Sequence, residues 1–230
     1  MSVAQLQQRS LILFDLDGTL VDSAADLYRA MNLSLEKLAL PLVTEVQIRV
    51  WVGKGAAKLC ETVLEHLFGQ IDAQQQKQLL DTFVEIYEQE LCVNTNVYEG
   101  VLPFLDYCQE HNITMACVTN KPEHLAQGIL DILQLSPYFK MVVGGDSLAE
   151  RKPHPLPLLH CIQQQNITAS QALMIGDSSN DVEAARRAGI DCIVVSYGYN
   201  HGESIYDCQP QQVVDSLAEL IEDDLVRRQA

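Results

Sequence analysis

The stretch that decides the fold is SLILFDLDGTLVDS, Ser10 to Ser23. Four apolar residues, Leu11 to Phe14, run into Asp15 and Asp17, which are separated only by Leu16 and followed by a Gly18-Thr19 turn. A continuous apolar run of this kind fits a strand covered on both faces. Along an extended backbone, residues two apart point the same way, so Asp15 and Asp17 share one side and Leu16 takes the other. Two carboxylates so placed repel, and loss of water penalises their charged forms further. A cation or a shared proton must compensate.

Four more short apolar runs follow: ITMACV (113–118), MVVG (141–144), ALMIG (172–176) and CIVVS (192–196). Amphipathic segments lie between them, at 102–111, 123–133, 156–165 and 181–188. Strand–helix alternation predicts an α/β fold, a doubly wound (Rossmann-like) parallel sheet. One interval breaks the rhythm. From about Ser23 to Thr95 only helical patterns occur, the clearest being AQQQKQLLDTFVEIYEQEL, with Leu79, Leu80, Phe83, Ile86, Tyr87 and Leu91 at helical spacing. The expected organisation is a catalytic core of residues 1–22 and 95–230, with a small all-helical cap, 23–94, inserted after the first strand.

Polar residues close four of the predicted strand regions. Asp15 and Asp17 end the first, Thr119, Asn120 and Lys121 the second, Lys152 follows MVVGGD, and Asp177 and Asp181 end ALMIG. Ligands of open α/β sheets bind outside the carboxyl ends of strands, so these residues can converge on one crevice. Taken singly each has a plainer reading: Gly18 as a turn former, Thr119 as a cap, Lys152 as a solvated side chain, Asp181 as a first-turn helix acid. Their order and company favour a site. Carboxylate oxygens gathered in a small volume suit Mg²⁺, which would also keep them ionised, with Lys152 and Thr119 left to bind phosphoryl oxygens.

At 230 residues and 47% hydrophobic, the chain can bury one substantial core with material left for a second small domain. A net charge of -16, with no basic patch, argues against nucleic acid or an anionic membrane as partner. MSVAQLQQRS does not read as a signal peptide, and no apolar run approaches membrane-spanning length, so a soluble, cytoplasmic protein is expected, monomeric or homodimeric. The seven cysteines are scattered and never spaced C-x-x-C, which argues against a disulfide framework or a zinc site.

DLDGTLVDS, VTNK, KPHP and GDSSND, in that order, resemble the four motifs of the haloacid dehalogenase superfamily of phosphohydrolases. WVGKGA (51–56), GGD before KPHPLPLL, and SYGYNHGES (196–204) are similar to stretches of its phosphoglycolate phosphatases. The resemblance implies hydrolysis of a small-molecule phosphomonoester, 2-phosphoglycolate, giving glycolate and phosphate. It implies Asp15 as the nucleophile that forms an aspartyl-phosphate and Asp17 as general acid–base. Asp15, the backbone carbonyl of Asp17 and Asp177 are the implied Mg²⁺ ligands. Thr119 and Lys152 would hold phosphoryl oxygens with Asn120 close by, and Asp181 would orient metal-bound water or Lys152.

Lys54, between Gly53 and Gly55, reads either as a mobile surface lysine or as a cap cation touching the substrate's carboxylate. The cap would hinge near 21–23 and 94–100. A broad sugar-phosphate or nucleotide phosphatase, a β-phosphoglucomutase-like enzyme and a binding module on an inactive phosphatase fold remain the alternatives.

Overall fold

A computed structural model of the chain describes residues 3–222. A short helix α1 (Val3–Leu6) precedes β1 (Leu11–Phe14) and the two-residue β2 (Val21–Asp22). Four helices follow: α2 (Ala24–Lys37), α3 (Glu45–Trp51), α4 (Ala56–Phe68) and α5 (Ala73–Gln89). After β3 (Asn96–Val97) come α6 (Val101–Glu110), β4 (Thr114–Val118), α7 (Glu123–Ile132), β5 (Met141–Val143) and α8 (Leu156–Gln164). The chain continues through β6 (Ala172–Gly176), α9 (Ser179–Ala188), β7 (Asp191–Val195) and β8 (Gln212–Val214).

Six strands form one parallel sheet in the order β5-β4-β1-β6-β7-β8. The apolar runs explain why. Ile12 and Phe14 point into one cluster with Phe104, Met115 and Ile129, while Leu11 and Leu13 point into another with Leu158, Met174 and Val194. Both faces of β1 are therefore dry, as a parallel strand between two helical layers requires. The chain runs outward from β1 through β4 to β5, then returns to β6 on the other side of β1. That reversal makes the carboxyl end of β1 a topological switch point, where a crevice opens. Register brings Phe14 level with Cys117 and Ile175, so the residues that follow β1, β4 and β6 emerge side by side.

The helices of residues 24–89 build a third cluster of their own, around Met31, Leu35, Ile48, Val63 and Phe83, touching Leu125 and Tyr199 of the sheet region. Their ends carry local signals. Thr44 and Gln47 form a reciprocal cap on α3, and Asp72 accepts from the Gln75 N–H at the start of α5. The two crossings between this helical segment and the sheet region run side by side as the β2–β3 pair, Val21 opposite Val97 and Asp22 opposite Asn96. Among the described residues no helix is long and apolar enough to cross a membrane.

Asp26, in the first turn of α2, pins those crossings. It is buried and accepts from the Asn94 N–H (2.9 Å), Asn94 Nδ2 (2.9 Å), the Thr95 N–H (2.9 Å) and Thr95 Oγ1 (2.6 Å). Hydrogen bonds to a charged acceptor are worth more than neutral ones, and removing the acceptor orphans buried donors. Asp26→Ala is therefore expected to lower unfolding free energy by about 3 kcal/mol in urea denaturation, a change under about 0.5 kcal/mol contradicting this account.

Candidate active site

The site assembles from strand ends. Asp15 follows β1, and its N–H donates to the Ile175 carbonyl at 2.9 Å, continuing the ladder for one residue. Its Oδ1 accepts from the Leu16 N–H at 2.7 Å and lies 3.0 Å from Lys152 Nζ. The same ammonium is 2.7 Å from Asp181 Oδ1. Asp181 sits in the first turn of α9, where Oδ2 accepts from the Asp177 N–H (3.2 Å), the Ser178 N–H (3.1 Å) and Ser178 Oγ (2.9 Å). It thus caps its own helix and holds Lys152 at once.

Asp177 follows β6 and accepts from the Tyr199 N–H at 2.5 Å through Oδ2. Its close neighbours must be glycines. A Cβ on Gly18, whose φ is +86°, would fall 2.1 Å from Asp177 Oδ2, and one on Gly176 would fall 2.3 Å from Asp181 Cγ.

Asp15, Asp177 and Asp181 are all buried, and each offers an oxygen within 4.8 Å of the others. Burial pushes the Asp15 carboxyl up to about 6, with Asp181 adding to the rise and Lys152 opposing it. Burial, then Asp181 and Asp15, drive Asp177 well above the usual carboxylate range. Burial alone would favour neutral Lys152, but Asp15 and Asp181 more than reverse this, so the ammonium holds its proton tightly. With all four groups ionised, three carboxylates and one ammonium leave a charge of -3 + 1 = -2. An all-oxygen cluster with that residual charge fits a hard divalent cation.

Asp17 lies outside that cluster. Lys121 Nζ is 2.9 Å from both of its oxygens, and Ser23 Oγ donates to Oδ1. This pair is nearly dry, with side-chain exposures of 5% for Lys121 and 11% for Asp17, and it is internally neutral. Two electrostatic units therefore stand next to each other, one balanced and one short of two positive charges.

Thr119, after β4, is buried with Oγ1 accepting from the Lys121 N–H at 3.2 Å. Asn120 Nδ2 donates to the carbonyls of Gly53 and Lys152, both at 3.0 Å, and Asn180 Nδ2 reaches Gly53 O at 3.2 Å. The loop between α3 and α4 is thereby held over the strand ends by its backbone. Between loop and strand ends lies a cavity of about 40 Å³, lined by Asp15, Asp17, Thr119, Asn120 and Lys121 below and by apolar side chains such as Leu59 and Phe83 above.

The structure thus brings Asp15, Asp17, Thr119 and Asn120 to one cavity, and Lys152, Asp177 and Asp181 beside Asp15. Lys54 is different: its side chain is exposed and does not line the cavity, and its charge falls instead on His201, whose imidazole is pushed down by burial and then by Lys54. Two contributors, Asn180 and Tyr199, escaped sequence reasoning, and a third, Lys121, was placed at its strand end without a role. Lys121 was visible in VTNK, but nothing in the spacing showed that it turns back to Asp17. Asn180 stands inside GDSSND without a distinguishing signal. Tyr199 holds Asp177 by its backbone and donates its hydroxyl to Asp22, which also meets Arg49 of α3 at 3.2 Å.

Residues 12–195 match the family model of the haloacid dehalogenase-like hydrolases, and the chain belongs to that family. Its relatives include a phosphoglycolate phosphatase of Nitrosococcus oceani, 40% identical over 216 residues that cover 94% of this chain and 96% of that one. A phosphoglycolate phosphatase of Colwellia psychrerythraea is 40% identical over 220 residues, covering 94% and 97%. Among solved structures, one described as a predicted phosphoglycolate phosphatase from Haemophilus somnus superimposes with a TM-score of 0.90 at 32% identity, over 94% of this chain and 98% of that one.

The charge deficit has a pH signature. The folded protein takes up a proton on Asp15 at about 6, the unfolded chain only near 3.8. Without metal, the folded state therefore loses stability as pH rises through that window and carries the full penalty above it. A divalent cation relieves the penalty only where protons have left. The rise in Tm on adding Mg²⁺ is expected to be larger at about pH 7.5 than at about pH 5, and to be largely lost in Asp177→Asn. Equal shifts at both pH values, measured by differential scanning calorimetry, would contradict the assignment.

Proposed function

We propose that this chain is a Mg²⁺-dependent phosphomonoesterase that hydrolyses 2-phosphoglycolate to glycolate and phosphate. The names of its relatives support the substrate. The cavity is the observation that carries the choice. One water needs roughly 10–15 Å³ of such space, so a cavity of about 40 Å³ favours a small leaving group. A two-carbon acid suits that space better than a hexose or a nucleoside.

Asp15 attacks phosphorus. Lys152 and the Leu16 N–H both engage Oδ1, which fixes the carboxylate plane and leaves Oδ2 as the attacking atom. Thr119 Oγ1 and Lys152 Nζ hold phosphoryl oxygens, and Asn120 keeps the Lys152 backbone and the Gly53 loop in register with them. Asp17, protonated from solvent as substrate binds, gives that proton to the departing glycolate oxygen, and as the carboxylate takes one from the water that cleaves the aspartyl-phosphate. Bound through Asp15, the Asp17 carbonyl and Asp177, Mg²⁺ would neutralise charge on the phosphoryl oxygens during transfer. Asp181 acts on Lys152, which it holds at 2.7 Å.

Residues 23–94 serve as the cap and 1–22 with 95–230 as the core, of which 1–2 and 223–230 lie outside the described residues, the β2–β3 pair being the seam about which they open. The apolar underside of the cap excludes bulk water during transfer. Lys54 is assigned no contact with substrate in this scheme.

Phosphate release from 2-phosphoglycolate is expected to exceed that from sugar phosphates and nucleotides in kcat/KM and to vanish with chelator. Asp15→Asn should lower kcat by at least ~10³-fold and Asp17→Asn by ~10²–10⁴-fold with the fold preserved. Comparable rates across the substrate panel would sink the named substrate, and an active Asp15→Asn would sink the mechanism.

A further inference from the structure

The cavity offers a substrate more than a phosphoryl site. Among the described residues that line it, Lys121 is the only cation. Two of its three N–H donors go to Asp17, at 2.9 Å each. The ammonium also lies 4.8 Å from the centre of the Tyr87 ring, which α5 delivers from above. Tyr87 is 1% exposed and lines the same cavity, and its hydroxyl makes no hydrogen bond of good geometry, the Lys121 ammonium being the one group that approaches it. A buried hydroxyl without a well-made hydrogen bond is unusual enough to call for a ligand. Here it stands beside a buried ammonium whose one N–H not taken by Asp17 faces it.

We propose that Lys121 and Tyr87 form the subsite that receives the carboxylate of the leaving group. This rests on the phosphoglycolate reading given above and adds the residues that select for it. The distances suit the molecule. In 2-phosphoglycolate a single CH₂ separates the ester oxygen from the carboxylate, and Lys121 is one hydrogen bond away from Asp17, the group that protonates that oxygen. A carboxylate there accepts from the free ammonium N–H and from the Tyr87 hydroxyl together, a charge-assisted pair in a dry pocket.

The other cations near the loop are placed differently. Lys152 is held by Asp15 and Asp181, and Arg151 stands beside Gly55 but lines an outer groove with Leu80, Asp81 and Gly145 rather than this cavity. Lys54 is exposed and off the cavity wall. Arg49 is taken up by Asp22 and Glu45. The surrounding wall of Leu27, Val52, Leu59, Phe83 and Leu125 offers no polar group, so an anion entering elsewhere would be desolvated without compensation.

The test compares kcat/KM for 2-phosphoglycolate with that for ethyl phosphate, which keeps the ester and replaces the carboxylate by a methyl group. Lys121 also touches Asp17, so its loss slows both substrates; the ratio removes that common effect. Tyr87→Phe takes away a buried hydroxyl whose one polar neighbour is Lys121, and is expected to fold as the parent does. The ratio should fall ~10-fold in Tyr87→Phe and ~100-fold in Lys121→Met, because a lost bond to a charged group costs that much discrimination. A parent that discriminates while either variant keeps the full ratio overturns the paired subsite and leaves the phosphoglycolate reading standing. A parent that hydrolyses both esters alike overturns that reading and the subsite with it.

Discussion

Three carboxylates brought together in a dry space by the sheet, with Lys152 alone between them, set the terms for everything around them. Asp15 and Asp177 arrive there because β1 and β6 are neighbours in register at the switch point of the sheet. Asp181 arrives one helical turn later, on α9. Their mutual repulsion would be relieved by any substitution that neutralised one of them. Its persistence in a fold this well packed argues that the strain is kept for a use, which is the usual meaning of buried like charges in a cleft.

The neighbouring Asp17–Lys121 pair solves a different problem. A buried ion pair is no strong source of stability, since desolvation offsets most of the Coulombic gain. What it gives is orientation: both Asp17 oxygens face one ammonium, and Ser23 adds a third contact from the seam between helices and sheet. In the proposed mechanism that leaves the acid–base group fixed by contacts that do not involve the nucleophile. The -16 charge of the whole chain makes such local arrangements necessary, because the overall field repels an anionic substrate.

Much of this was written in the sequence. LILF and ALMIG coincide with β1 and β6 to the residue, because an apolar run ended abruptly by carboxylates admits little ambiguity. The helical stretch was legible from 3.6-residue spacing and from the lack of any alternating run. β8 and the β2–β3 pair were not: at three and two residues they are too short to show a period, and only long-range pairing defines them. Asp181 carried two readings, as a first-turn helix acid and as a partner of Lys152, and its two oxygens divide between those tasks. Tyr87 illustrates the opposite limit. Its spacing on α5 said core, and its ring is buried beside Phe83, yet the residue lines the cavity and its buried hydroxyl lacks a partner of good geometry. Periodicity reports which face of a helix is buried, not what the polar end of an aromatic residue meets there.

In this mechanism Asp15 becomes covalently phosphorylated while its neighbours hold the charge in place. Acid quenching of a turnover mixture containing radiolabelled 2-phosphoglycolate and Mg²⁺, followed by peptide mapping, tests it directly. A labelled acyl-phosphate is expected on the peptide containing Asp15, formed within the first turnover and decaying as phosphate appears. Phosphate released at full rate with no label on the protein at any time, or with label on another residue, would contradict it.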